Sequence, residues 1–190
     1  MMHATTLIVA EGEPAAWPDP PGDLSAEAVG IPQAVVWGRI EDWTRVRWGE
    51  RNASFTVEAE GDACWRAPLE PFTPSATLQW DHEDETYLPV TLRGTPTGGL
   101  RLPAGFYQLD GLVGFSDAPP ERVLEAYRRL AEFLAEAVRD PSKVGVSAHT
   151  IDIGGAISES STRPASWLAK SIHLSGAADL LRPWRRLGAH

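Results

Sequence analysis

The chain has 190 residues, 43% of them hydrophobic, and a net charge of −9 at pH 7. That length suffices for one domain with a real buried core, and the charge opposes nonspecific binding to a phosphate backbone. No run approaches the roughly 18 apolar residues of a membrane span, and the start, MMHATTLIVAEGEP, lacks the basic flank and long apolar stretch of an export signal, so a soluble, unexported protein is expected.

The charge is unevenly spread. Residues 1 to 30 carry Glu11, Glu13, Asp19, Asp23 and Glu27 and no Lys or Arg, a balance of −5, whereas residues 163 to 190 carry +4. Ends of opposite sign suit contacts between chains, or between the two ends of one chain. Pro14, Pro18, Pro20 and Pro21 forbid a long helix in the first 30 residues, which are expected to form an extended acidic arm. From Ile31 to Trp48, Val36, Ile40, Trp43 and Val46 fall near helical spacing. Pro32 suits a first turn and Gly49 a stop, and a helix is expected over the first two-thirds.

Between Ser54 and Phe115 the pattern changes to short alternating runs bounded by Pro, Gly and Asp. SFTVEAEG, ACWRAP, ATLQWD, TYLPVTLRG, GLRLP and FYQLDGLVGF each read as a strand. DHEDE, residues 81 to 85, and TPTGG, residues 95 to 99, read as hairpin turns, giving an antiparallel sheet of about four to six strands. ERVLEAYRRLAEFLAEAVRD, residues 121 to 140, then places Val123, Tyr127, Leu130, Leu134 and Ala137 on one face of a long helix. Asp117 or Pro119 opens it, and Arg139 with Pro141 closes it. Residues 140 to 162 form a Gly- and Ser-rich connector with one strand-capable run, SAHTIDIG. A helix bearing Trp167, Leu168 and Ile172 follows from Pro164. Ser175 can cap a last turn, AADLL, that Pro183 ends. The expected class is α+β: a small helical bundle around one long central helix, with an inserted antiparallel sheet and extended N- and C-terminal arms. Its parts are an arm over residues 1–30, a helix, sheet and long-helix body over 31–140, and a connector with a C-terminal helical docking arm over 141–190.

Convergent chemistry is sparse. The five histidines (His3, His82, His149, His173, His190) show no metal-ligand spacing, and the lone Cys64 reads as a packed strand thiol. GTPTGG lacks the lysine and the strand-to-helix context of a phosphate cradle, and SESS at 158 to 161 reads as a polar linker. Asp81, His82, Glu83 and Glu85 could centre a small hydrolase, although an exposed, solubilising hairpin tip accounts for them more simply. No catalytic, metal or cofactor residue is assigned. Trp37, Trp43, Trp48, Trp65 and Trp80 crowd the helix-to-sheet region, where core or interface anchoring outweighs the alternative of an aromatic sheet binding carbohydrate or peptide.

The long helix preceded by a strand and an acidic proline turn, together with the ending WLAKSIHLSGAADLLRPWRR, resembles head-tail adaptor (connector) proteins of long-tailed phages and gene transfer agents. WRAPLEPFTPSATLQW and LRLPAGFYQL fit the sheet inserted between helices in the larger adaptors. The resemblance implies a non-enzymatic virion protein, made in the host cytoplasm and resident in the neck. It implies a homo-oligomeric ring of about twelve copies, closed by head-to-tail contacts. The expected partners are the portal protein above and a stopper or tail-terminator protein below, with DNA passing through the channel without sequence-specific binding and no membrane contact. Carried onto this chain, the portal-binding residues are Trp167, Leu180, Leu181, Arg182, Pro183, Trp184, Arg185 and Arg186.

Overall fold

A computed structural model describes residues 3–96, 98–139, 148–152, 158–162 and 170–185. The chain divides into two compact units, one of residues 1–18, 45–118 and 186–190, the other of residues 19–44 and 119–185.

The first unit is built on sheets. Strict alternation in β2 (Arg51–Ala59) and β8 (Gly105–Val113) turns Phe55, Val57, Tyr107, Leu109 and Val113 inward, all fully buried. With β1 (Ala4–Glu11), β4 (Phe72–Asp81) and β5 (Thr86–Pro89) these strands form a five-stranded antiparallel sheet in the order β1-β2-β8-β4-β5. A second sheet, β3-β7-β6, joins β3 (Ala63–Trp65), β7 (Leu100–Leu102) and β6 (Arg93–Gly94) and adds Trp65 and Leu102 to the same core. Phe55 meets Phe72 edge-on at 5.0 Å and Trp65 at 5.5 Å, so aromatic packing closes the core between strands. The predicted run TYLPVTLRG therefore divides between two sheets. Pro89, which has no N–H for a ladder, is the last residue of β5.

Residues 4 to 11 are extended as expected of the acidic start, but as an edge strand of the sheet and not as a detached arm. A β-branched, apolar run, ATTLIVA, outweighs the proline-rich composition that follows it. A bulge between Thr6 and Ile8 interrupts β1, and Leu7, Ile8 and Val9 stay 49%, 60% and 46% exposed. Its end is held by charge. Glu11 accepts from Arg47 Nη2 at 2.8 Å and from Arg51 Nη1 at 3.1 Å, and the Arg51 guanidinium lies 4.9 Å over the Trp17 ring. Gly49, predicted as a helix stop, is instead a crossing point: a Cβ there would lie 2.9 Å from Pro14 Cβ and 3.0 Å from Ala16 O. Cys64 also departs from expectation. It is exposed on β3, because Ala63 and Trp65 take the inward positions of the alternation.

The second unit is helical. α2 (Gln33–Thr44) buries Val36, Trp37 and Ile40, and the Trp37 ring packs 4.9 Å from Tyr127 of α3 (Glu121–Arg139). After α2 the backbone reaches φ 64° at Arg45, four residues before the predicted stop. The apolar face of α3 buries Val123, Ala126, Tyr127, Leu130 and Leu134. A short α1 (Ala26–Val29) is capped by Ser25 Oγ, which accepts from Ala28 N at 3.1 Å. Glu132 on α3 accepts from both the amide and the hydroxyl of Ser25, at 2.7 and 2.8 Å. β9 (Ala148–Asp152) and β10 (Ser158–Thr162) pair antiparallel as a separate two-stranded ladder, so SESS is a strand segment where a linker was expected. α4 (Ser171–Leu174) and α5 (Ala177–Leu181) then pack on α3.

Two outcomes follow. At Gly111, a Cβ would meet Pro74 Cα at 2.9 Å beside the β4 bulge, so Gly111→Ala lowers unfolding free energy by about 1–3 kcal/mol in denaturant titration. Hydrogen bonds from Arg128 and Arg129 hold the Glu125 carboxyl well below its usual range, at about 2. That stabilisation is complete above the unfolded value near 4.5 and is lost as pH falls toward 2. The stability gap between wild type and Glu125→Gln, under about 1 kcal/mol for this partly exposed pair, closes over that window in acid titration of the melting temperature.

Candidate functional site

The C-terminal tip is the part of the sequence with both anchors and charge, and it is ordered by its own chain through Arg185. α4 ends in a left-handed turn at Gly176, φ 73°, from which α5 starts. Gly176 takes the cap position that Ser175 was expected to fill, and Ser175 Oγ accepts from Ala177 N only at 3.4 Å. α5 is the run AADLL and stops at Leu181, just before Pro183, as expected. Pro183 then lies near the start of a 3-10 turn over Arg182–Trp184, where a missing N–H costs no hydrogen bond.

Burial sorts the tip residues. Leu181 is wholly buried, with Ile172, Ala177 and Ala178, in the helical unit's own core. A partner has no access to it, so Leu181 anchors the tip where a direct docking contact was expected. Leu180 and Trp184 are half-buried, while Arg182, Pro183 and Arg185 are exposed. Trp167 and Arg186 lie outside the described residues.

Three contacts latch the tip to α2. The Arg185 guanidinium sits 5.0 Å over the Trp43 ring, and His173 meets the same ring edge-on at 5.9 Å. Arg39 Nη1 donates to Ser171 Oγ at 3.1 Å, fixing the start of α4. Arg122 Nη2 donates to the Asp179 carbonyl at 3.4 Å. Trp43 was legible in the sequence as a core or interface anchor. Its half-exposure, needed to receive Arg185, follows from where α2 ends. The outcome is a basic, aromatic surface of Arg182, Trp184 and Arg185, suited to an acidic partner surface.

The other candidates do not converge on chemistry. Asp81 Oδ1 accepts from Glu83 N at 2.8 Å, so it shapes the hairpin turn. His82, Glu83 and Glu85 are exposed, the His82 ring standing near-perpendicular to Phe106 at 6.3 Å, and Glu85 takes φ 47°. Among the described residues no group of three His, Cys, Asp or Glu gathers at metal-binding distance. Trp37, Trp48 and Trp65 are buried, which leaves Trp80 and Trp43 half-exposed among the five clustered tryptophans.

No family model matches the chain, and no curated protein matches it significantly. A solved structure does: a chain in the neck of an empty GTA (gene transfer agent) particle, computed with C6 symmetry. The two chains share a fold. The alignment covers 97% of this chain and 98% of that one, with a TM-score of 0.53 and 18% sequence identity.

Because Leu181 is core and Arg185 is surface, their substitutions separate. Leu181→Ala lowers unfolding free energy by about 2–5 kcal/mol, whereas Arg185→Ala costs under about 1 kcal/mol. Chemical denaturation measures both, and amide exchange over residues 170–185 rises sharply in the first variant only.

Proposed function

We propose that this chain is a structural subunit of the neck of a phage-like particle, and specifically a head-tail adaptor. The observation that carries the reading is the end-to-end correspondence in fold with a neck chain, at 97% and 98% coverage. The ending SGAADLLRPWRR, which resembles the close of adaptor chains, agrees with it independently.

In this reading identical subunits close a ring by head-to-tail contacts, each presenting two different faces. A ring of about twelve copies is compatible with averaging at C6, since twelve is a multiple of six. The basic tip docks on the portal protein. Arg182, Trp184 and Arg185 supply the contact surface, joined by Leu180, Pro183, Trp167 and Arg186, while Leu181 holds the helix that presents them. The opposite end of the ring receives a stopper or tail-terminator protein, and DNA passes through the channel without base-specific contact. The role is mechanical, with no catalytic residue assigned.

Coexpression with the portal protein of the same particle tests this. The expected result is a co-purifying ring on the portal, seen by electron microscopy, from a chain that is monomeric or weakly associating alone. A chain that never associates with the portal at any salt concentration overturns the reading. Trp184→Ala weakens docking by about tenfold or more, and Arg186→Ala by less, because a packed aromatic anchor outweighs a rim charge. Surface plasmon resonance on the immobilised portal measures the order of the two.

A further inference from the structure

We propose that the β4–β5 hairpin carries a docking site for an arginine side chain presented by a partner protein, formed by four aromatic rings with a carboxylate rim. Trp80 and Tyr87 are directly opposed across the hairpin, and their rings meet edge-on at 5.1 Å. His82 and Phe106 form a second near-perpendicular pair at 6.3 Å. The four rings line a surface slot of about 270 Å³. Trp80, Tyr87 and Phe106 are each half-buried and His82 is exposed, so the ring surfaces are open to solvent on the sheet face opposite Phe55 and Leu109.

The slot is smaller than the roughly 300–1,000 Å³ clefts that enclose small molecules, and its size suits one side chain. Electrostatics choose which one. Glu83, Asp84 and Glu85 stand exposed on the turn that joins the two strands, and none of them is ion-paired among the described residues. The negative faces of the rings and the neighbouring carboxylates act with the same sign on a cation, and repel an anion. A neutral sugar can donate its hydroxyls to the carboxylates but gains no charge–charge attraction from them, and an apolar peptide side chain gains neither. Arginine fits better than lysine because its planar guanidinium stacks on a ring and offers its edge N–H groups to carboxylates at the same time.

The chain already makes this contact twice for its own purposes, with Arg51 over Trp17 at 4.9 Å and Arg185 over Trp43 at 5.0 Å. Over Trp80, Tyr87 and Phe106 no cation of the chain's described residues is placed. The geometry stands independently of the neck assignment and of the basic tip.

The test titrates isotopically labelled full-length protein with hexa-arginine, hexalysine, maltohexaose and hexa-alanine, followed by nuclear magnetic resonance. Saturable shifts at the Trp80 indole N–H and the hairpin amides are expected with hexa-arginine, with hexalysine several-fold weaker. Trp80→Ala and the triple variant Glu83→Gln/Asp84→Asn/Glu85→Gln each weaken binding by about tenfold. The triple variant leaves ring packing untouched, so an otherwise unchanged spectrum separates loss of the site from loss of the fold. Self-association of the chain that disappears in the triple variant also supports the site, and assigns the arginine to a second copy. Shifts spread evenly over all exposed carboxylates, indifference to Trp80→Ala, or tighter binding of maltohexaose or hexa-alanine in the slot each overturn the proposal.

Discussion

An arginine laid on an indole fastens a segment near each end of this chain. Near the start, Arg51 covers Trp17 while Arg51 and Arg47 share Glu11, which secures the last residue of β1 to the sheet unit. Near the finish, Arg185 covers Trp43 and brings the 3-10 turn back onto α2. The planar cation supplies dispersion along one face and leaves its edge for hydrogen bonds, which a lysine cannot do. In a chain of net charge −9 such contacts also place positive charge at chosen points.

The two fastenings differ in how much burial supports them. The β1 end is locked by two arginines that are only 6% and 7% exposed, so breaking the cluster strands buried charge. The tip depends on Leu181 for its position, and its Arg185 is a surface contact that a partner can take over at little expense. A segment held in place by a core leucine keeps its exposed side chains in one arrangement, where a frayed tail would not.

Much of the fold was legible because it follows from periodicity. Val123, Tyr127, Leu130 and Leu134 announced α3, and the alternation of Phe55, Val57, Tyr107 and Leu109 announced the central strands. The errors arose where composition stood in for pattern. Residues 1 to 30 were weighed as one proline-rich block, which hid the β-branched ATTLIVA at its head. SESST carries no apolar period and forms a strand only by pairing with AHTID. For the site, the chemistry of the tip could be read, but not the division between inward Leu181 and outward Arg182, which depends on the angle at which α5 meets α3.

The bulge in β1 has a bearing on the life of the free chain. Its outer edge exposes Leu7, Ile8 and Val9, a run that would otherwise template the growth of fibrils from copies made in excess. By breaking the register between Thr6 and Ile8, the bulge leaves an incoming strand only short, mismatched stretches to pair with. The edge stays apolar, with a local kink guarding against polymerisation in place of a charge.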